Sequence, residues 1–431
     1  MMRKATGAAV VALGLGVALA ATGCAGSGSN SGSSSDGGKV TLTVWDNSTT
    51  GPGAQYFSDA AKAFEAAHPN VTVKVQSIQN EDLDGKLQTA LNSNSAPDIF
   101  LQRGGGKMQA MVDAGQIQAI DLSSTAKTDA GAAALAGESI DGKVYAVPLD
   151  FLPEGIYYSQ DLFKQAGITE TPTTIAELEA DVAKLKGIGV APIAVGAKDA
   201  WPAAHWYYNF ALRECSQDVL NKSAKSLKFD DKCWNTAGDD LSSFLKTNPF
   251  NDGFLTTAAQ QGAGSSAGLL ANHKAAMELM GGWDPGVIAS LTPDQKPLPD
   301  LGWFPFPSVD GGKGDPTALL GGIDGYSVSK NAPKEATEFL EFLVTKDQQE
   351  AYAKAFNSIP VNKDAQEVVT DPYNVSALQA FNKAAYASQY LDTLYGQNVG
   401  NAMNTAVVNL LAGKGSASDI VKDTNAAAAK G

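Results

Sequence analysis

An α/β fold in two lobes is what this 431-residue sequence predicts, on three observations. Strand and helix patterns alternate from Val40 to Leu101, which implies a mainly parallel sheet covered by helices. The chain beyond the first 38 residues, roughly 390 long, exceeds what one hydrophobic core holds. Two segments, Val144 to Pro148 and Lys313 to Gly325, read as crossings between lobes.

The order begins with a leader. Arg3 and Lys4 precede a run without charge from Ala5 to Gly23, closed by Ala21-Thr22-Gly23-Cys24. A basic start, an apolar stretch and small residues have the layout of a secretory signal, too short and wrongly flanked for a spanning helix. The cysteine makes it a lipoprotein signal, 1–23. Cleavage before Cys24 exposes a thiol for diacylglycerol, and two acyl chains on one residue suffice for stable membrane attachment. Ordinary secretion with cleavage elsewhere is the alternative. In residues 25–38, eleven of fourteen are Gly or Ser, so residues 24–38 form a lipidated cysteine and flexible tether reaching roughly 20 Å.

Val40, Leu42 and Val44 alternate with Thr41, Thr43 and Trp45, a period-2 strand ending at Asp46-Asn47. Phe57, Ala60, Ala61 and Phe64 have helical spacing, and His68-Pro69-Asn70 closes that helix before the strand Val71, Val73, Val75. A helix from Glu81 to Leu91 leads through Ala96-Pro97 to the strand Asp98 to Leu101. Ligands of such sheets sit beyond the carboxyl ends of the strands, which puts Asp46-Asn47 and Gln102-Arg103 where a site belongs. After the first crossing, Asp199-Ala-Trp-Pro opens another helix, with Pro202 in its first turn and Trp201 held out of helical geometry at its mouth. Ala336 to Phe356 is one amphipathic helical pattern.

Formal charge is −14, with 32 basic and 46 acidic residues; removing Arg3 and Lys4 with the leader leaves 30 against 46, or −16. Nucleic acid is thereby excluded as a ligand, because phosphate binding needs a basic surface. Lipidation of Cys24 leaves Cys215 and Cys233. They read as one disulfide around a polar loop in an oxidising compartment, the alternative being two separate buried thiols.

A literal G-x-S-x-G stands at Gly264-Ser265-Ser266-Ala267-Gly268, but no β-branched run enters it, as a nucleophile elbow requires, and a loop leading into a helix is expected. His68, His205 and His273 have no metal-ligand spacing, so neither metal nor cofactor is expected. Six tryptophans stand at 45, 201, 206, 234, 283 and 303, several beside a carboxylate or amide. That pairing suits a sugar, whose C–H face packs on an aromatic ring and whose hydroxyls want Asp, Asn, Gln or Arg. Core packing is the alternative for any one tryptophan. Trp303 to Pro307 reads as a packed connector, and at least one of Trp206, Tyr207 and Tyr208 must be core.

The segments Leu42-Thr-Val-Trp-Asp, Ala60 to Val75, Ala96-Pro-Asp-Ile-Phe and Asn272 to Gly282 resemble the family 1 extracellular solute-binding proteins, the maltose-binding-protein-like receptors of ABC sugar importers. Val147-Pro-Leu-Asp and Gly155 to Phe163 are similar to the family's crossover. The resemblance implies a periplasmic-binding-protein type II fold without catalysis, with each lobe a mainly parallel sheet flanked by helices and a hinge between. The lobes are then 39–148 with 323–362, and 149–322 with 363–431. It implies an oligosaccharide ligand, permease subunits as partners and a monomer on the outer face of the cell membrane, held by Cys24. Carried over by position, ligand contacts are expected at Trp45, Asp46 and Asn47, at Gln102 and Arg103, at Asp150, at Trp201 and His205, at Trp283 and Asp284, and at Asp324. Trp283 is expected to stack under a sugar ring, with Asp46, Arg103 and Asp150 clamping hydroxyls.

Lys198 to Arg213 and Lys296 to Phe306 resemble lipoproteins that bind β-linked plant oligosaccharides, xylobiose in particular. A secreted glycosidase acting on the same sugars is the competing reading, since aromatic and carboxylate pairs suit both.

Overall fold

The computed structural model describes residues 38–49 and 51–430. The signal peptide, Cys24 and all of the tether but Gly38 lie outside these residues. In chain order the strands are β1 Val40–Asp46, β2 Val71–Ser77, β3 Ile99–Gln102, β4 Ser139–Ile140, β5 Lys143–Val144, β6 Ala146–Pro153, β7 Gly155–Ser159, β8 Ala191–Ala194, β9 Ala275–Met280, β10 Leu301–Phe304, β11 Leu319–Val328, β12 Ile359–Pro360 and β13 Ala387–Ser388. Beside the small β4–β5 hairpin, they build two sheets, one per lobe. The first runs β12-β6-β11-β3-β1-β2, with β13 beside β11; the second runs β10-β7-β9-β8.

The expectation of mainly parallel sheets is corrected here. β1 lies parallel to β2 and β3, β11 to β13, and β8 to β9, but β11 is antiparallel to β3 and β6, β12 to β6, and β7 to both β9 and β10. Only strands joined through a covering helix are forced parallel. β6 and β11 are the segments that pass between the sheets, and β6 enters β7 through Glu154 alone, so no helix fixes their direction.

Each sheet has its own core. Leu42, Val44, Phe57, Phe64, Ile99, Val147, Tyr326 and Phe339 pack in the first, and Ile156, Val182, Ile193, Trp206, Phe210, Trp234, Leu241, Val407 and Ile420 in the second. The last helices of the chain, Gln397–Leu411 and Ala417–Ala428, therefore serve the second core.

Local chemistry explains three departures from the sequence pattern. The single pattern over 336–356 is two helices, Glu335–Leu343 and Lys346–Phe356, because Thr345 takes an extended conformation and starts the second. In the helix Trp201–Glu214 the cap is Ala200, at φ 63°, so Trp201 is its first helical residue rather than a residue outside it. Every residue of that helix from Pro202 to Glu214 is buried, and Trp206, Tyr207 and Tyr208 are all core. Its end is fastened twice. Cys215 and Cys233 form the disulfide. Arg213, 2% exposed, donates to the carbonyls of Phe306, Pro307 and Ala318 at 2.7, 3.1 and 2.8 Å. That fastens the chain leaving β10 to the chain entering β11; the connector expected over 303–307 is in its first half a strand, since Trp303 and Phe304 belong to β10.

Candidate ligand cleft

Strand ends set the first group of residues. In β1 the alternation that buries Leu42 and Val44 also buries Asp46, whose carboxylate accepts from the Ser48 amide at 2.7 Å and the Ser77 hydroxyl at 3.0 Å. Burial raises its pKa to about 6, less than it would without those two donors. Gln102 ends β3 buried, its carbonyl oxygen capping the Arg103 amide at 2.8 Å. The Arg103 guanidinium donates to Asp324 at 3.2 Å and to Asn80 at 2.8 Å, and Asn47 reaches the same Asn80 oxygen at 3.5 Å.

Asp150 on β6 stands opposite Asp324 on β11 in the strand register. Its carboxyl accepts from the Tyr352 hydroxyl at 3.3 Å, with the Asp324 amide and the Ser358 hydroxyl also acting on it. Burial, and then the neighbouring Asp324, push the Asp150 carboxyl well above the usual range. Asp324 is raised by burial despite Arg103, and Arg103 is itself raised because Asp324, Asp84 and Asp392 outweigh its burial. Asn47, Arg103, Asp324 and Asp150 thus form one polar line from the chain just past β1 and β3 across β11 to β6, with Asn80 as its outer anchor.

A second group is aromatic. The Trp201 ring lies 5.9 Å from Trp283 and 5.2 Å from His205; Tyr390 stacks on His205 at 4.7 Å and meets Trp283 edge-on at 5.7 Å. Glu154, fully buried, lies beside this group. One of its oxygens lies 2.6 Å from His205 Nδ1, and the other accepts from Asn209 at 2.6 Å. Gly281 is required here, since a Cβ would fall 2.3 Å from the Trp283 ring and 2.5 Å from the Tyr390 hydroxyl. The indole N–H groups of Trp201 and Trp283 are buried without a partner among the described residues. The two groups meet at β6, where Leu152 accepts from the Tyr390 hydroxyl at 3.1 Å, and at Gln389, which donates to the Arg103 carbonyl.

Of the residues singled out in the sequence, the structure brings together Asp46, Asn47, Gln102, Arg103, Asp150 and Asp324 in one group, and Trp201, His205 and Trp283 in the other. Two stand apart. Trp45 alternates with Asp46 and so faces the opposite side of the sheet, lining a shallow groove with Glu81, Asp82, Lys86 and Thr89. Asp284 is fully buried beneath the Trp283 turn, its carboxyl paired with that of Glu278; burial raises Asp284 to about 8, and burial with Asp284 raises Glu278 well above the usual range. The G-x-S-x-G segment is a loop and helix start, with Ser265 capping the helix Ser266–Ala271 and Ser266 donating to the Ala259 carbonyl at 3.0 Å. Sequence reasoning passed over Tyr390, Gln389, Glu154, Asn80 and Glu138. Only Glu154 carried a signal, as an acid one residue past the crossing strand.

The profile of a family described as bacterial extracellular solute-binding protein matches residues 47–350. A Brucella abortus chain named for binding alone is 26% identical over 401 residues, covering 92% of this chain and 93% of its own. A melibiose/raffinose/stachyose-binding protein of Bacillus subtilis is 25% identical over 337 residues, 76% of this chain and 75% of its own. A structure solved in work on xylan utilization by the thermophile Caldanaerobius polysaccharolyticus superposes with a TM-score of 0.83 at 24% identity, over 90% of this chain and 99% of that one. That likeness shows the shared two-lobed, type II periplasmic-binding-protein fold.

Proposed function

The chain belongs to the bacterial extracellular solute-binding proteins, and on that premise we propose that it is the receptor of an ABC carbohydrate importer, capturing a short oligosaccharide and delivering it to the permease. It is a binding protein and not an enzyme, like the relatives named by activity. The observation that carries the sugar reading is the wall of Trp201, Trp283 and Tyr390 set against the Arg103–Asp324–Asp150 line. An aromatic face takes the C–H side of a pyranose, and the acids and the guanidinium take its rim of hydroxyls. The name of the Bacillus subtilis relative is consistent with this. Within the class, xylobiose or another β-linked short oligosaccharide is the assignment supported by the Lys198 to Arg213 and Lys296 to Phe306 segments.

The mechanism we propose is hinge closure, in which the ligand selects the closed state by touching both lobes at once. The lobes are taken as 39–148 with 323–362, and 149–322 with 363–431, so that the paired strands β6 and β11 form the hinge. Ligand contacts are assigned to Asp46, Asn47, Gln102, Arg103, Asp150, Trp201, His205, Trp283 and Asp324. The protein acts as a monomer, held on the outer membrane face through Cys24. A tether of roughly 20 Å raises its effective concentration at the permease.

Isothermal titration of the mature protein with xylo-, cello-, malto- and chito-oligosaccharides tests the reading. Saturable binding, strongest for a β-linked disaccharide or trisaccharide and with no shortened products by chromatography, is expected. A blank across the panel would overturn the sugar assignment.

A further inference from the structure

We propose that Glu138 is a ligand-contacting residue whose carboxyl, together with that of Asp324, accepts hydrogen bonds from two neighbouring ring hydroxyls of the bound saccharide; this rests on the saccharide reading above. Glu138 ends the helix Ala132–Gly137 just before β4. Its main chain is fully engaged, the amide donating to the Leu135 carbonyl at 3.2 Å and the carbonyl accepting from the Tyr145 amide at 2.9 Å. Its side chain is not. The residue is 0% exposed, and neither carboxyl oxygen has a hydrogen-bond partner among the described residues.

The carboxyl lies against Gly104. A Cβ there would stand 3.2 and 3.5 Å from its two oxygens and 2.9 Å from the Gly137 carbonyl, at a backbone φ of +67° that already favours glycine. Gly104 follows Arg103, so Glu138 lies beside the middle of the polar line, and Asp324 acts on it as a like charge. Arg103 gives its guanidinium to Asp324 and Asn80. Burial and Asp324 together hold the Glu138 carboxyl well above the usual carboxylate range. A buried acid without donors is a cost that a sequence selected only for stability would remove. Two neighbouring acids, Glu138 and Asp324, suit a vicinal diol, each hydroxyl donating to one carboxyl.

The test is Glu138→Met, which keeps length and removes polarity, alongside Glu138→Gln, which keeps one acceptor. With the best-binding saccharide of the panel, Glu138→Met is expected to lower affinity at least tenfold while its ligand-free Tm rises, and Glu138→Gln to fall between. Deoxy analogues of that saccharide locate the contact: the analogue that loses affinity on the wild type loses nothing further on Glu138→Met. A lower Tm in Glu138→Met, as expected if an internal water uses the carboxyl structurally, overturns the proposal, and so does unchanged affinity. Preference of the wild type, but not of Glu138→Met, for an amino sugar over its hydroxyl parent overturns the diol assignment. If the wild type binds nothing in the panel, the saccharide reading fails, and the ligand-free Tm still decides. A rise supports an acid kept for an external donor; no rise overturns it.

Discussion

Asp324 stands opposite Asp150 on neighbouring antiparallel strands, and Arg103 approaches the pair from the Asp324 side at 3.2 Å. Removing one member of a partly buried charge cluster leaves the rest uncompensated, which costs more than the intact pair contributes. Arg103→Met is expected to destabilise the protein by about 3 kcal/mol in urea unfolding. Arg103→Met with Asp324→Asn should recover a substantial part of that loss; a double variant no more stable than the single would show that the guanidinium acts through packing instead.

The tryptophans divide by position. Trp283 shares the aromatic group with Trp201 and Tyr390, whereas Trp45 lies across the sheet. Truncating a stacking ring costs about 1–3 kcal/mol of packing and burial. Calorimetry should therefore give Trp283→Ala a loss of tenfold or more and Trp45→Ala a change within about threefold. Equal losses would place Trp45 at the ligand as well.

Acid pairs impose a pH dependence. Asp284, raised to about 8 by burial, and Glu278, raised further by burial and by Asp284, bind more protons folded than unfolded. Their contribution is complete below about pH 4, the unfolded carboxyl range. It declines as pH rises through about 8. Asp46, raised to about 6, adds to the same slope at its acidic end. Calorimetric Tm should fall from pH 5 to pH 9, and Asp284→Asn should flatten the fall; a Tm that rises over this range would contradict the burial of these acids.

Gly105 and Gly106 allow main chain to meet main chain. A Cβ on Gly105 would lie 2.8 Å from the Thr393 carbonyl oxygen, and one on Gly106 2.8 Å from the Gly396 nitrogen. Residues 105–106 follow a strand of the first sheet, and 393–396 adjoin Leu391 and Tyr395 of the second core. Gly106→Val is expected to keep its Tm within a few degrees, to lose affinity for the best saccharide, and to show no ligand-induced compaction by small-angle scattering. Compaction equal to the wild type would show that this contact is not part of closure.

How much of this was legible depended on range. β1, β2 and β3 announce themselves by local alternation, and the chain just past β1 and β3 brings Asn47 and Arg103 to the same Asn80 oxygen. The antiparallel course of β6 and β11 did not show, because strand direction follows from how the chain crosses between sheets, and no local pattern encodes that. Tyr390 escaped for a related reason: it stands more than a hundred residues after Trp283 and meets it only when the C-terminal helices fold onto the second core. Trp45 shows the reverse error of emphasis. Adjacency to Asp46 in sequence suggests a shared site, while a period of two sends neighbours to opposite faces.

The backbone contact at Gly105 and Gly106 also bears on how such a receptor can diversify. Where the two halves touch through main chain, there are no side chains to drift, so the geometry of that seam is indifferent to most substitutions elsewhere. The rings at 201, 283 and 390 and the acids at 138, 150 and 324 are all side chains, and can be exchanged without redrawing the seam. With these groups lining the cleft as proposed above, selection for a new nutrient can act on that palette and leave the shape that a transporter meets as it was.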